Sequence, residues 1–187
     1  MKKLIFLFAA AAASLAVHAQ EVKDFSLFNV ANGKTVSLNT YPSCAGIVIL
    51  FTSNACPYDE YYRGRVGKLA REYQDKVPVL LVNSHNDPNE SIDNMKKKAA
   101  GWSLPYLADK DQVLMTSLGV AKSPSAYLLK NNGGKFMLIY SGAIDDNAQV
   151  EADVRHHHLK DAIDIMLANQ KVATTEVRPA GCSIRKK

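Results

Sequence analysis

Three cysteines, Cys44, Cys56 and Cys182, carry the nucleophilic and redox chemistry available to this sequence. Cys56 lies in the stretch Asn54-Ala55-Cys56-Pro57-Tyr58-Asp59. Proline is favoured at the first position of a helix, where its missing N–H would have had no partner. That places Cys56 at or beside an N-cap, facing free backbone N–H groups and the positive end of the helix dipole. Both favour the thiolate, which is the attacking form of the residue. Asp59 and Glu60 in the first turn oppose a second negative charge, and Arg63 and Arg65 offer compensation further along. The bland alternative is an inert cysteine packed as a small hydrophobe.

The elements that must hold Cys56 are legible on either side of it. Residues 46–51 form a continuous apolar, β-branched run suited to a central strand buried on both faces. A helix is expected over 57–74 and a second buried strand over 78–83, a βαβ unit with a right-handed crossover. Two short strands flank Asn32-Gly33, a good turn dipeptide. Beyond the βαβ unit come a turn at Asn86-Asp87-Pro88, a helix over 91–100, an extended piece at 105–107 and a helix over 112–118. Strands over 125–129 and 136–140 are joined by Asn131-Asn132-Gly133-Gly134 as a hairpin. A final helix is expected over 148–167, with Asp145-Asp146-Asn147 as its cap. Residues 169–187 show no periodicity and read as a tail that carries Cys182. The order βαβ, connecting helices, ββ hairpin and closing helix gives an α/β, thioredoxin-like fold: a central mixed sheet flanked by helices.

Bulk properties narrow the function. Lys2-Lys3, an apolar run over 4–17 and the small-residue pattern Val17-His18-Ala19 read as a cleaved secretory signal over 1–19. The run is shorter than the roughly 20 residues of a bilayer span, and no later segment matches it without charges. The expectation is a periplasmic or secreted protein with one domain over 20–168 and the tail over 169–187. Two of the 23 basic residues lie in the leader, so 21 against 18 acidic residues leave +3. The basic residues are scattered without aromatic interleaving, which argues against nucleic acid as a partner. Three cysteines in an exported chain leave at least one thiol unpaired or reacting in turn.

The other polar clusters read blandly. His156-His157-His158 cannot all face one ion from a helix, so they form a polar face, and no metal site is expected. His85 follows the second strand, near the sheet edge where open α/β proteins place ligands. Trp102 reads as core. No residue pattern points to a cofactor. Pro124 in Lys122-Ser123-Pro124-Ser125 enters a strand after a short loop, which makes it a candidate for a cis bond.

Several blocks in their order resemble one family. They are Asn54-Ala55-Cys56-Pro57-Tyr58-Asp59, Pro105-Tyr106-Leu107-Ala108-Asp109, Ser123-Pro124, residues 140–147 and Gly181-Cys182-Ser183-Ile184. The family is the peroxiredoxin-like branch of the thioredoxin superfamily, grouped with alkyl hydroperoxide reductase and thiol-specific antioxidant proteins. The resemblance implies that Pro124 is cis and lies against the reactive cysteine, with Ser123 offering its backbone to a bound peptide or disulfide. It also points to Pro57 and Ser53 as residues shaping the substrate side. Departures are equally informative. Asp59 stands where thioredoxins carry a second cysteine, and Ile49 stands where peroxiredoxins carry a proline, although Ser53 keeps their Ser/Thr position. Cys56 aligns with the first thioredoxin cysteine.

A resolving thiol must therefore come from elsewhere. The tail from Asn169 to Gly181 spans roughly 40 Å if extended, so Cys182 can reach Cys56. Pairing of Cys182 with Cys44, or a free Cys182, remains open on the sequence. Two classes of function fit. One is a thiol-dependent oxidoreductase acting in disulfide exchange or antioxidant defence, with a disulfide-containing protein or a hydroperoxide as substrate and an external thiol as reductant. The other is a redox-inactive module that keeps the fold and binds a peptide or protein.

Overall fold

The computed structural model describes residues 20–187; the expected leader over 1–19 lies outside them. Strands β1 (Leu27–Asn29) and β2 (Thr35–Val36) form a hairpin closed by Gly33 at φ 74°. Then follow β3 (Gly46–Phe51), α1 (Pro57–Tyr73) and β4 (Val79–Asn83). After them come α2 (Ile92–Ala99), β5 (Tyr106–Ala108) and α3 (Val113–Ser117). The chain continues through β6 (Lys122–Ser123), β7 (Ser125–Asn132), β8 (Lys135–Gly142) and α4 (His158–Leu167). It ends with β9 (Glu176–Val177) and β10 (Cys182–Ser183).

The main sheet runs β2-β1-β5-β4-β3-β7-β8-β9, and β10 pairs separately with β6. Strands β3, β4 and β5 are parallel neighbours, whereas β7 joins β3 antiparallel, so the sheet is mixed. Side chains alternate across a strand, and β3 shows the consequence. Val48 and Leu50 enter one core with α1, α2 and α4. Ile47, Ile49 and Phe51 enter the other with α3 and the N-terminal hairpin. All six residues of β3 are buried, as the two-sided apolar run requires. Among the described residues no helix is long and apolar enough to cross a membrane.

Two parts of the chain differ from the sequence expectation. The last helix begins at His158, not at 148, and its N-cap is His157. The segment before it is held by side-chain bonding that competes with helix. Asn147 Oδ1 accepts from the N–H groups of Gln149 and Val150, while Asp146 Oδ1 accepts from that of Arg155. Asp145 does not cap α4; it is buried and paired with Arg65 of α1. Tyr62 donates to its Oδ1 at 2.9 Å, and Arg65 Nη1 and Nη2 donate to the carbonyls of Asn147 and Ala148, each at 2.7 Å. The three histidines accordingly stand at the entry to α4, where His156 and His158 stack, instead of along a helical face.

The tail is the second difference. It docks along the sheet: β9 runs parallel to the end of β8 through Ser141–Glu176 and Gly142–Val177 register pairs. A Cβ on Gly142, at φ 126°, would fall 1.7 Å from the Val177 carbonyl oxygen, so only glycine admits this crossing.

Asp145→Ala should expose how much the Arg65 clamp contributes. Removing one partner of a buried pair leaves an uncompensated charge, so a loss of about 3 kcal/mol in denaturant unfolding is expected. A change below about 0.5 kcal/mol, the usual scale at unremarkable sites, would show that the clamp is energetically idle.

Candidate active site around Cys56

Cys56 stands where β3 has just ended and α1 begins. It is the N-cap residue of α1, with φ −75° and ψ 123° and Pro57 in the first turn. Its side chain is 5 % exposed and is joined to Cys182 in a disulfide, the two Cα atoms 6.0 Å apart. The pairing left open by the sequence is thus between the helix-end cysteine and the tail. Cys44 is free and half-buried, with its Sγ donating to the Tyr41 carbonyl.

The other residues singled out by the sequence converge on this bond. The Ser123–Pro124 peptide is cis. The Ser123 carbonyl oxygen lies 3.6 Å from Cys56 Sγ, and the residue itself is 0 % exposed. Ser123 also faces Cys182 in the β6–β10 pairing. Ser53 acts one step back: its Oγ accepts from the N–H groups of Ala55 and Cys56, both at 3.0 Å. The loop is therefore wound around a side chain, which is the usual use of serine at a helix entrance.

The sequence did not reveal what holds Ser53. Glu90, 2 % exposed, accepts from Ser53 Oγ at 2.5 Å, from Asn54 N at 2.8 Å and from Ala55 N at 3.0 Å. Asn83 Nδ2 donates to it as well, at 2.7 Å. Burial alone would raise the Glu90 pKa, but these donors together hold its carboxyl below the usual range. A fixed, ionised Glu90 thus braces the loop that carries Cys56. Its partners lie 7 to 37 positions away in the chain, which is why no local motif announces it.

Asp59 is the other buried acid. Burial is the largest effect and pushes its carboxyl up to about 7, while Thr52 Oγ1 donating at 2.5 Å pulls it back. Its Oδ2 lies 3.5 Å from Ser123 Oγ, which in turn is 2.8 Å from His85 Nε2. His85, read from sequence only as a residue near the sheet edge, is buried here, and that burial lowers its pKa. Lys110 donates to the His85 carbonyl at 2.7 Å and to Asn83, and its own burial brings its ammonium down to about 8. The expected compensation from arginine is met only in part: Arg63 Nη1 lies 3.7 Å from Glu60 Oε1, a carboxylate that Lys98 also pairs at 2.9 Å, whereas Arg65 is spent on Asp145. Arg63 also reaches the Gly101 carbonyl and lies over Trp102. Trp102 is only partly buried at the core's edge. The neutral form of Asp59 leaves the helix-end field intact for a Cys56 thiolate, and the ionised form opposes it.

A buried cysteine at a helix N-terminus, against a cis proline in a mixed sheet with helices on both faces, defines a thioredoxin-fold thiol site. The AhpC/TSA family model matches residues 18–141, and the chain belongs to that family. Among solved structures it is similar to a conserved protein from Geobacillus kaustophilus, at 29% identity and TM-score 0.81, covering 90% of this chain and 92% of that one. A hypothetical protein from Sinorhizobium meliloti matches at 28% identity and TM-score 0.78, covering 89% and 92%. The exposed lipoprotein thioredoxin Etrx1 of Streptococcus pneumoniae matches at 25% identity and TM-score 0.58, covering 76% and 99%. No curated protein sequence matches.

Asp59 makes a pH prediction. Its folded pKa lies above the ordinary carboxylate value of 3.8, so between about 4 and about 7 the native state holds a proton that the unfolded chain releases. Stability from this residue is therefore fully present below that window and falls as pH rises through it, by at most about 1.4 kcal/mol per pH unit. Asp59→Asn should remove that slope. Urea unfolding of both proteins from pH 5 to 8 tests it; parallel pH dependences would contradict the assignment.

Proposed function

We propose that the protein is an exported thiol–disulfide oxidoreductase in which Cys56 attacks and Cys182 resolves. The observation that carries this reading is the Cys56–Cys182 disulfide set at a helix N-terminus against the Ser123–Pro124 cis peptide. In the oxidised form Cys56 is nearly enclosed and Cys182 is half-buried, so an external thiolate meets Cys182 first. Attack there forms a donor–Cys182 disulfide and expels Cys56 as thiolate, the form that the helix end stabilises. A second donor thiolate then releases Cys182, leaving the donor oxidised and both protein cysteines reduced. Next, Cys56 attacks a substrate disulfide, forming a mixed disulfide and expelling one substrate thiolate. Cys182 attacks Cys56 Sγ in turn, which frees the second substrate thiolate and restores the starting bond.

Ser123 and Pro124 line the substrate side, while Ser53 and Pro57 shape the loop and helix start behind the sulfur. Disulfide exchange is favoured over peroxide reduction because the groups bonded around the loop and strand include the acids Glu90 and Asp59 and the imidazole of His85, while the cations beside them, Lys98 and Lys110, donate to the Asn54 and His85 carbonyls. Polarising a departing peroxide oxygen calls for strong donors aimed at it. Export, to the periplasm or outside the cell, rests on the leader-like pattern over 1–19.

Cys56→Ser should abolish reduction of a protein disulfide by dithiothreitol-fed enzyme. Cys182→Ser should instead trap mixed disulfides with substrate. Equal rates for wild type and Cys56→Ser would sink the oxidoreductase reading, and Cys56-dependent consumption of hydroperoxide without disulfide reduction would replace it by a peroxidase.

A further inference from the structure

The tail shows what kind of polypeptide this site reads. Residues 181–184 lie antiparallel to β6, with Cys182 opposite Ser123 and Ser183 opposite Lys122. The Ile184 N–H donates to the Ala121 carbonyl at 2.9 Å. A Cβ built on Gly181 would fall 2.2 Å from the Ser123 carbonyl oxygen and 2.7 Å from its carbon. Those are backbone atoms of a fully buried residue next to the cis proline, so they cannot step aside as a flexible side chain would. Two positions beyond the cysteine, Ile184 is buried in the core on the α3 side of the sheet, whereas Ser183 between them is exposed. Gln112 adds hold without side-chain preference, donating to the Arg185 carbonyl at 2.7 Å and accepting from the Lys187 N–H at 2.9 Å.

In the oxidised form the sulfur bonded to Cys56 Sγ arrives along this line. A substrate sulfur that bonds to Cys56 once the tail has left meets the same buried Ser123 carbonyl and the same open edge, so its flanking backbone runs past β6. We propose that the substrates are extended polypeptides whose reactive cysteine follows a glycine and precedes an aliphatic side chain by two positions, a Gly-Cys-x-aliphatic pattern of which the tail is the chain's own copy. This rests on the reading of Cys56 as the attacking thiol. The returning tail then competes for the same edge, which couples resolution of the mixed disulfide to release of the bound segment.

The test uses the full mature chain carrying Cys44→Ser and Cys182→Ser, so that Cys56 is the one thiol. Three peptides, containing Gly-Cys-Ser-Ile, Val-Cys-Ser-Ile or Gly-Cys-Ser-Asp, each carry nitrothiobenzoate on the cysteine as a mixed disulfide. Cys56 thiolate attacks the peptide sulfur, forms the Cys56–peptide disulfide and releases the coloured aromatic thiolate, whose appearance gives the rate. Overpacking the closed contact at the glycine position, and placing a carboxylate where the aliphatic side chain is buried, each predict about tenfold slower reaction. Equal rates for all three, each lost on Cys56→Ser, would overturn the selectivity and leave Cys56 chemistry standing. No release from any peptide would overturn the oxidoreductase reading itself. In the otherwise unaltered chain, Gly181→Val should weaken the Cys56–Cys182 disulfide against glutathione by about tenfold, with the reduced protein's stability unchanged. An unchanged equilibrium would show that the close contact at Gly181 excludes nothing.

Discussion

One covalent constraint organises this molecule: a disulfide between residues 126 positions apart, fastening the chain's end to the start of its first long helix. Closing a loop of that length removes unfolded-state entropy worth about 5 kcal/mol in the chain-entropy picture. Apart from that bond the tail is held by two-residue pairings with β8 and β6, by Val172 and Ile184 buried in the two cores, and by Gln112 on its last backbone groups. Parting the sulfurs removes the covalent tie from this segment and leaves it to those contacts alone. The bond that carries the redox chemistry thereby also governs access to the edge of β6.

Around that bond, charge is arranged with opposite outcomes for two acids. Glu90 is buried among four donors and stays ionised, so its energy goes into fixing the loop 53–56. Asp59 is buried with weaker support and holds its proton to about pH 7. The position that carries a second cysteine in thioredoxins here holds a group that is neutral in acid and charged above neutrality. A thiolate at Cys56 consequently experiences a less favourable helix end as pH rises, the reverse of the simple trend for a thiol losing its proton.

Much of this was legible in the chain. The all-apolar run of β3 and the Pro57 start of α1 placed Cys56 correctly, because a strand buried on both faces and a proline-led helix each leave a local mark. The hairpin glycines and the Ser123–Pro124 pair did likewise. The tail's docking was not legible, since β9 and β10 are two residues long and their pairing depends on glycines that admit distant backbone. The start of α4 was misplaced because Asp145, Asp146 and Asn147 look like cap residues. In the fold their oxygens instead serve Arg65, Tyr62 and the backbone of the following loop. Glu90 left no trace, for its meaning lies wholly in partners from other elements.

The most direct test of the central claim is disulfide mapping of the protein, oxidised, alkylated without reduction and digested. Peptides holding Cys56 and Cys182 should be recovered joined, with Cys44 alkylated. Recovery of Cys44 joined to either of them, or of all three as alkylated thiols, would contradict the account.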